Sequence, residues 1–142
     1  MRVAFFGHKD TPSTVRNKLE SVVADLIEHR QADIFYVGNQ GRFDAMVLDV
    51  LKHMKTIYSH IRYSVVLAYM PSDKHVEFDY SNSLYPDGLE NVPPKFAICK
   101  RNEWMIDNCD AVVAYVQRSF GGAAKYVTLA DKKGIKVINM AE

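Results

Sequence analysis

Five short apolar segments, separated by stretches with helical periodicity, constrain the fold of this chain more than any other feature of its sequence. Each segment is rich in β-branched or aromatic residues and is apolar almost throughout, which is typical of parallel strands covered on both faces. The segments are Arg2–Gly7, Asp33–Gly38, Tyr63–Met70, Asp110–Val116 and Ile135–Met140. Their alternation with helices predicts a doubly wound α/β fold, in which helices cover both faces of a mostly parallel, five-stranded sheet.

Four helices are predicted between these strands, over about residues 15–27, 45–58, 95–108 and 122–133. In the first, apolar residues recur at helical spacing from Val15 onward. Thr11, followed by Pro12, is the predicted N-cap of the first helix, and Asp44 is that of the second. Gly134 is predicted to occupy the position just after the end of the fourth helix.

The length and charge of the chain limit what it can be. Its 142 residues are predicted to form a single domain, residues 1–142, with a buried core. The net charge of +1 argues against nucleic acid or a membrane as a partner. No apolar run approaches the roughly 20 residues of a membrane span, and the N-terminus lacks a secretory signal, which together predict a cytoplasmic protein. Cys99 and Cys109 lack metal-ligand spacing, so no metal site is predicted and both thiols are expected to be reduced.

Glycines and polar residues follow three of the predicted strands, at the sheet edge where open α/β folds bind their ligands. Backbone N–H groups in such a turn, together with the dipole of the helix that follows, attract phosphate. The candidate ligand-binding residues in these turns are Gly7, His8, Lys9, Gly38, Asn39, Gly41, Asp44, Gly121, Gly122, Ala123 and Lys125. Neither a G-x-G-x-x-G nor a Walker motif is present, and no cofactor is predicted. The glycines could instead serve tight turns alone.

Some candidates also have a purely structural interpretation. His8 could be a surface histidine in a turn, and Asp44 could act only as a helix cap. Arg101 could lie on the solvated face of the third helix, with Trp104 and Met105 in the core. The sequence leaves both interpretations open for each of these residues.

The segment Pro71–Pro94 has no clear periodicity. Loops of this length in a compact domain tend to be lids or binding loops, or else disordered insertions. Because it follows the third strand, it is predicted to act as a lid over the glycine turns. Its aromatic residues, Phe78, Tyr80 and Tyr85, could stack on a nucleotide base.

Motifs spread over nearly the whole chain match one known superfamily. The matching residues are Gly7-His8-Lys9, Val37-Gly38 with Gly41 and Asp44, Arg101-Asn102, Trp104 to Asp107, and Gly121-Gly122 with Lys125-Tyr126. In this order they resemble the SLOG superfamily, and most closely its YpsA-like branch. The resemblance implies a Rossmann-like domain that pairs into a homodimer or larger homo-oligomer. It also implies that Arg101 contacts the ligand.

The LOG phosphoribohydrolases, also members of this superfamily, offer a sharper comparison. Arg101, Met105 and Asp110 keep the spacing of their core pattern, which places Arg101 at the position of their catalytic arginine. The position of their catalytic glutamate falls on Thr128. A hydroxyl cannot replace a carboxylate that stabilises a cationic sugar or handles a proton. The resemblance therefore implies binding without LOG-type hydrolysis.

The predicted function is to bind a phosphate-bearing nucleotide, or a small molecule derived from NAD or ADP-ribose, as a sensor or sequestering module. One alternative is a hydrolase that cleaves an N-glycosidic or phosphate bond of such a ligand. Its acid or base could come from the long loop, which carries Asp73, Glu77, Asp79 and Asp87. Another alternative is an interaction protein with a vestigial pocket.

The second helix region, Ala45–Tyr58, carries an apolar stripe that looks wider than one sheet face requires. Surplus apolar surface on a protein usually meets a partner, and closed two-fold pairing is the commonest arrangement. The stripe therefore supports the homodimer. Alternatively, the long loop could fold back and cover it.

Overall fold

The fold is built on a wholly parallel six-stranded sheet, seen in a computed structural model that describes residues 1–70 and 82–141. The strands are β1 (Arg2–Gly7), β2 (Ile34–Val37), β3 (Arg62–Val66), β4 (Ser83–Leu84), β5 (Ala111–Tyr115) and β6 (Lys136–Asn139). Their order across the sheet is β4-β3-β2-β1-β5-β6, and each neighbouring pair is parallel. The α/β prediction is confirmed.

The predicted number of strands is wrong, because the sheet has six strands and not five. The additional strand, β4, lies inside the segment that was predicted to be a loop, and it pairs with the end of β3 through Val65 and Ser83. Only Ser83 and Leu84 form it. Two residues are too few to show the alternation by which a strand is recognised in a sequence.

The four predicted helices are present as α1 (Arg16–His29), α2 (Gly41–Ile57), α3 (Ala97–Asp107) and α4 (Gly122–Lys132). Both predicted N-caps are wrong. The Thr11 hydroxyl donates to the His8 carbonyl, and a 3-10 turn, Ser13–Val15, precedes α1. Helix α2 begins at Gly41, which places Asp44 inside its first turn. Gly134 has a φ of +74° after the end of α4, as its predicted position requires.

The helices form two layers, one on each face of the sheet. Alternate residues of a strand point to opposite faces. Accordingly, Val3 and Phe5 of β1 belong to a core shared with α1 and α2, whereas Ala4 and Phe6 belong to a core shared with α3 and α4. Strands β1 and β5 lie in the middle of the sheet and are covered on both faces, which explains their uninterrupted apolar sequences.

Most of the apolar stripe on α2 is covered by the chain itself. Val47, Val50, Leu51 and Met54 are buried, and Met46, Leu48 and Tyr58 are partly buried. Only Ile57 of the stripe is exposed. The stripe therefore gives no separate support to the homodimer, which stays a prediction.

Part of the predicted lid, residues 71–81, lies outside the described residues, and with it lie Phe78, Tyr80 and the acidic residues Asp73, Glu77 and Asp79. The described remainder contains β4 and two 3-10 turns, Leu89–Asn91 and Pro94–Phe96. Within residues 1–70 and 82–141, no helix has the length and apolarity needed to cross a membrane.

Candidate functional site

A cleft of about 470 Å³ opens at the carboxyl ends of β1 and β5. From β1 the chain adds strands in one direction as far as β4, and then returns to add β5 and β6 on the other side. The point between β1 and β5 is thus the topological switch point, where open α/β sheets bind ligands. Nine of the twelve predicted residues line the cleft, namely Gly7, His8, Lys9, Gly38, Asp44, Arg101, Gly121, Gly122 and Ala123.

The other three predicted residues lie nearby. Asn39 contacts the site through its Oδ1 atom, 3.4 Å from Nη1 of Arg101. Gly41 lies behind the cleft, against the backbone of Lys9. Lys125 does not line the cleft but an outer depression beside α4, which shares Phe120, Gly121 and Tyr126 with the cleft. Of the predicted residues, Lys125 is therefore the one that the structure separates from the rest.

Arg101, on α3, is the deepest charged group of the cleft, with only 2% of its surface exposed. Its Nη1 donates to the Val66 carbonyl at 2.9 Å, and its Nε donates to Oδ1 of Asn102 at 2.7 Å. No carboxylate of the described residues lies within 4.0 Å of the guanidinium, and Nη2 has no hydrogen-bond partner among them. Burial lowers the pKa of Arg101, yet an arginine stays charged in a protein. The solvated-face interpretation of Arg101 is wrong.

Asp44 and Arg101 converge on Gly38. A β-carbon added to Gly38 would stand 2.8 Å from Nη1 of Arg101 and 2.8 Å from Oδ2 of Asp44. Oδ2 of Asp44 also accepts a hydrogen bond from the N–H of Gln40, at 2.9 Å. Burial raises the pKa of Asp44 to about 6, against the opposing effects of the Gln40 hydrogen bond and the Arg101 charge. A side chain at Gly38 would therefore displace the ends of Arg101 and Asp44, which share the floor of the cleft.

Gly7 and Gly41 are required by the packing of the protein itself. A β-carbon on Gly7 would stand 2.2 Å from Cγ of the buried Phe43. Gly41 has a φ of +91°, and its β-carbon would meet Cβ of Lys9 at 2.5 Å. The carbonyl of Lys9 also accepts the N–H of Arg42, at 2.9 Å. For these two glycines, the tight-turn interpretation accounts for the sequence without a ligand.

Packing does not explain Gly121 or Gly122, although the backbone conformation of Gly121 requires glycine. Gly121 precedes α4 with a φ of +97°, and no side chain caps the helix. A β-carbon on either glycine would meet no described atom within 4 Å. The first N–H groups of an α-helix have no acceptor inside the helix. In α4 these N–H groups belong to the first residues of the helix. They lie at the wall of the cleft that Gly121, Gly122 and Ala123 form.

His8 joins the two sides of the cleft. Its Nε2 accepts the backbone N–H of Gln117 at 3.0 Å and that of Arg118 at 3.4 Å. Only 8% of its surface is exposed, so the surface-turn interpretation is wrong. The pKa of His8 is lowered, first by burial and then by the charge of Arg118. A neutral imidazole that accepts at Nε2 carries its proton on Nδ1.

Several residues of the cleft were not predicted. Arg118 forms a two-point ion pair with Asp10 at the rim, with N···O distances of 2.7 and 3.2 Å. The ring of Phe120, 70% exposed, lies 5.9 Å from the guanidinium carbon of Arg118. Asn102 and Gln40 complete this group. These residues show no periodicity, and their only sequence signal is their closeness to the glycine turns and to Arg101.

The position that matches the LOG glutamate takes no part in the cleft. Thr128 lines the outer depression, and its hydroxyl donates to the Ala124 carbonyl at 3.0 Å. The acidic residues that line the cleft within residues 1–70 and 82–141 are Asp10 and Asp44, whereas Asp87 does not line it. The described part of the chain contains no group of three side chains that could hold a metal ion.

No protein-family model matches the sequence, and no curated protein is similar to it in sequence. Two solved structures are similar in fold. DNA processing protein A from Helicobacter pylori, described for its single-stranded DNA binding mode, has a TM-score of 0.65 and 15% identity, over 96% of this chain and 63% of that one. DNA processing protein A from Streptococcus pneumoniae has a TM-score of 0.66 and 18% identity, over 96% of this chain and 48% of that one.

The chain thus spans about half to two-thirds of the length of these neighbours and shares their Rossmann-like fold, one of the SLOG-type folds that its sequence resembles. The exclusion of nucleic acid as a partner is wrong, because the Helicobacter pylori protein, which contains a similar fold, binds single-stranded DNA. That exclusion relied on net charge, which averages over the whole surface. The cleft itself is lined by Lys9, Arg101 and Arg118.

Proposed function

We propose that the cleft binds a phosphate-bearing nucleotide, or a small molecule derived from NAD or ADP-ribose, and that the protein is a sensor or sequestering module of the YpsA-like kind. The observation that carries this proposal is Arg101. A buried charge is unfavourable unless it is paired, and the described residues supply this guanidinium with no carboxylate within 4.0 Å. An anionic ligand would complete the site.

Phosphate suits this site better than other anions do. Nη2 of Arg101 is unused among the described residues, so its N–H groups can donate charge-assisted hydrogen bonds to phosphate oxygens. The uncapped N-terminus of α4, at Gly121 and Gly122, adds N–H donors and the positive end of a helix dipole. Lys9 adds positive charge to the wall, whereas the charge of Arg118 is balanced by its ion pair with Asp10.

The size and rim of the cleft favour a nucleotide over inorganic phosphate. Its volume of about 470 Å³ is in the usual range for small-molecule sites, roughly 300–1,000 Å³. Phe120 exposes its ring at the rim, directly before the glycine pair, where a base could stack on it. Stacking on an aromatic side chain is worth about 1–3 kcal/mol for each base.

Single-stranded nucleic acid is the second candidate ligand. It is favoured by the likeness of this fold to the Helicobacter pylori DNA processing protein, whose single-stranded DNA binding has been described. The same combination of basic residues and an exposed aromatic ring, here Lys9, Arg118 and Phe120, is what such a ligand requires. A nucleotide and a short oligonucleotide therefore belong in the same binding experiment.

Calorimetry with AMP, ADP-ribose and a single-stranded oligonucleotide tests the proposal. Arg101→Met keeps most of the side-chain volume and removes the charge, and it is expected to weaken binding about 10- to 150-fold, the scale of a hydrogen bond to a charged group. Lys100→Ala is the matched control, because Lys100 is the neighbouring cation but is exposed and does not line the cleft.

Three results decide between the candidates. Binding of AMP or ADP-ribose that Arg101→Met weakens supports the nucleotide site, whereas binding of the oligonucleotide alone supports the second candidate. No binding of any of the three, or equal affinity in a folded Arg101→Met variant, contradicts the proposal. Mass spectrometry of the recovered ligand is expected to show it uncleaved, because the glutamate position of the hydrolases is Thr128.

A further inference from the structure

Asp44 places a carboxyl group in a cleft that is otherwise built for an anion. It lines the same cleft as Arg101, and it reaches the same glycine, Gly38, from the other side. A carboxylate next to a bound phosphate is unfavourable, because the two like charges repel each other. Asp44 accepts the N–H of Gln40 and faces the charge of Arg101, and a ligand group beside it is better a hydrogen-bond donor than a second anion.

The carboxyl group of Asp44 has capacity for a ligand. A carboxylate can accept about four hydrogen bonds. Within the described residues Asp44 accepts one, from the N–H of Gln40, at 2.9 Å. No buried side-chain oxygen of the described residues lacks a hydrogen-bond partner, so the unused acceptor capacity of Asp44 is accessible from the cleft. A hydroxyl group of a bound ligand would use it.

We infer that Asp44 accepts a hydrogen bond from a sugar hydroxyl, and thereby makes the cleft selective for ribonucleotides and other phosphorylated riboses over deoxyribose analogues and bare phosphate. The inference rests on the proposed phosphate binding and specifies the class of ligand. In a ribose phosphate, the phosphate and the hydroxyls are only a few bonds apart. Such a ligand can engage Arg101 on one side of Gly38 and Asp44 on the other.

The strength of the selection follows from the kind of hydrogen bond involved. A site built to bind a hydroxyl rejects the analogue that lacks it, because its own polar group is then buried without a partner. For a hydrogen bond to a charged group, the expected discrimination is at least about tenfold. The Asp44 carboxylate repels any bound phosphate. A ligand that also donates a hydrogen bond to this carboxylate offsets the repulsion, and bare phosphate does not.

The test compares AMP, 2′,3′-dideoxy-AMP and inorganic phosphate by calorimetry on three proteins. The wild type is expected to bind AMP at least about tenfold more tightly than dideoxy-AMP. Asp44→Asn keeps an acceptor for the Gln40 N–H and removes the charge. In this variant the preference for AMP over dideoxy-AMP is expected to fall below about threefold. The variant is also expected to bind inorganic phosphate more tightly than the wild type does. Asp49→Asn, a change of an exposed carboxylate on the same helix outside the cleft, is expected to behave as the wild type.

The possible results separate this inference from the function on which it rests. If the wild type binds AMP and dideoxy-AMP equally well, the role of Asp44 is refuted and the phosphate site stands. The same conclusion follows if Asp44→Asn keeps the discrimination. If the wild type binds none of the three ligands and does not bind ADP-ribose either, the proposed nucleotide site fails, and the inference fails with it.

Discussion

The two walls of the cleft both carry glycines that follow a strand, but they carry them for different reasons. In the first wall, formed by the turns after β1 and β2, a β-carbon on Gly7, Gly38 or Gly41 would collide with Phe43, Arg101 or Lys9. In the second wall, formed by the turn after β5, a β-carbon on Gly121 or Gly122 would meet no described atom within 4 Å. Because the φ of +97° at Gly121 itself requires glycine, Gly122 is the glycine that neither packing nor backbone conformation explains, and such a glycine indicates a ligand.

Gly7→Ala is expected to have the largest effect, because its new methyl group would stand 2.2 Å from Cγ of Phe43 in the core. Overpacking of this kind lowers the free energy of unfolding by about 3 kcal/mol. Urea denaturation measures the loss. Adding Phe43→Leu should recover part of it, since the two sites are in contact and their effects are not additive. An alanine variant as stable as the wild type would show that this wall is not constrained by packing.

Gly121→Ala is expected to lower the free energy of unfolding by about 2 kcal/mol, because a φ of +97° with a ψ of 175° is accessible almost only to glycine. Gly122→Ala, one residue later, is expected to leave the free protein unchanged or to stabilise it by about 0.5 kcal/mol, since it starts a helix without strain. If a ligand lies against the second wall, Gly122→Ala should nevertheless weaken AMP binding. Equal effects of both substitutions on stability and on binding would remove the distinction between them.

Lowering the pH should weaken the hydrogen bonds by which His8 connects the two walls. The expected loss in the free energy of unfolding is about 1 kcal/mol, the net value of one hydrogen bond. Protonated His8 can no longer accept the N–H groups of Gln117 and Arg118. Burial and the charge of Arg118 lower its pKa, Asp10 opposes this shift, and the ring of Tyr115 packs against its edge. The stabilisation by neutral His8 is therefore present above its ordinary pKa of about 6.5, and it is lost as the pH falls from there through the lowered pKa of the folded state.

Urea denaturation between pH 8 and pH 5 measures this effect of His8. The slope should be smaller in His8→Gln, and it should persist in His29→Gln, which changes an exposed histidine. Asp44 contributes with the opposite sign, because its pKa is raised to about 6 and its protonation stabilises the folded state at low pH. The difference between wild type and His8→Gln isolates the histidine. An identical slope in these two proteins would contradict the bridging role of His8.

The sequence predicted the sheet better than it predicted the cleft, for physical reasons that particular residues show. Buried strands such as β5 need continuous apolar residues, and that requirement is visible in any sequence. Ser83 and Leu84 form a strand because they pair with Val65 and Val66 of β3. No local sequence pattern indicates a pairing with a distant strand. Arg118 and Phe120 lie in a loop, where position depends on distant partners such as His8 and Asp10. Arg101 was found through its spacing to other residues, whereas its burial required the structure.

The pairing of β1 with β5 also determines when the cleft can form during folding. These strands bring Val3 opposite Ala111 and Gly7 opposite Tyr115, whereas β1, β2 and β3 are connected by single helices. Pairing between residues so far apart in the chain is slow, because the entropy of closing the loop is lost before the contacts form. We therefore expect the cleft at this seam to be completed after most other contacts. A ligand that binds there should consequently lengthen the lifetime of the folded state far more than it accelerates folding.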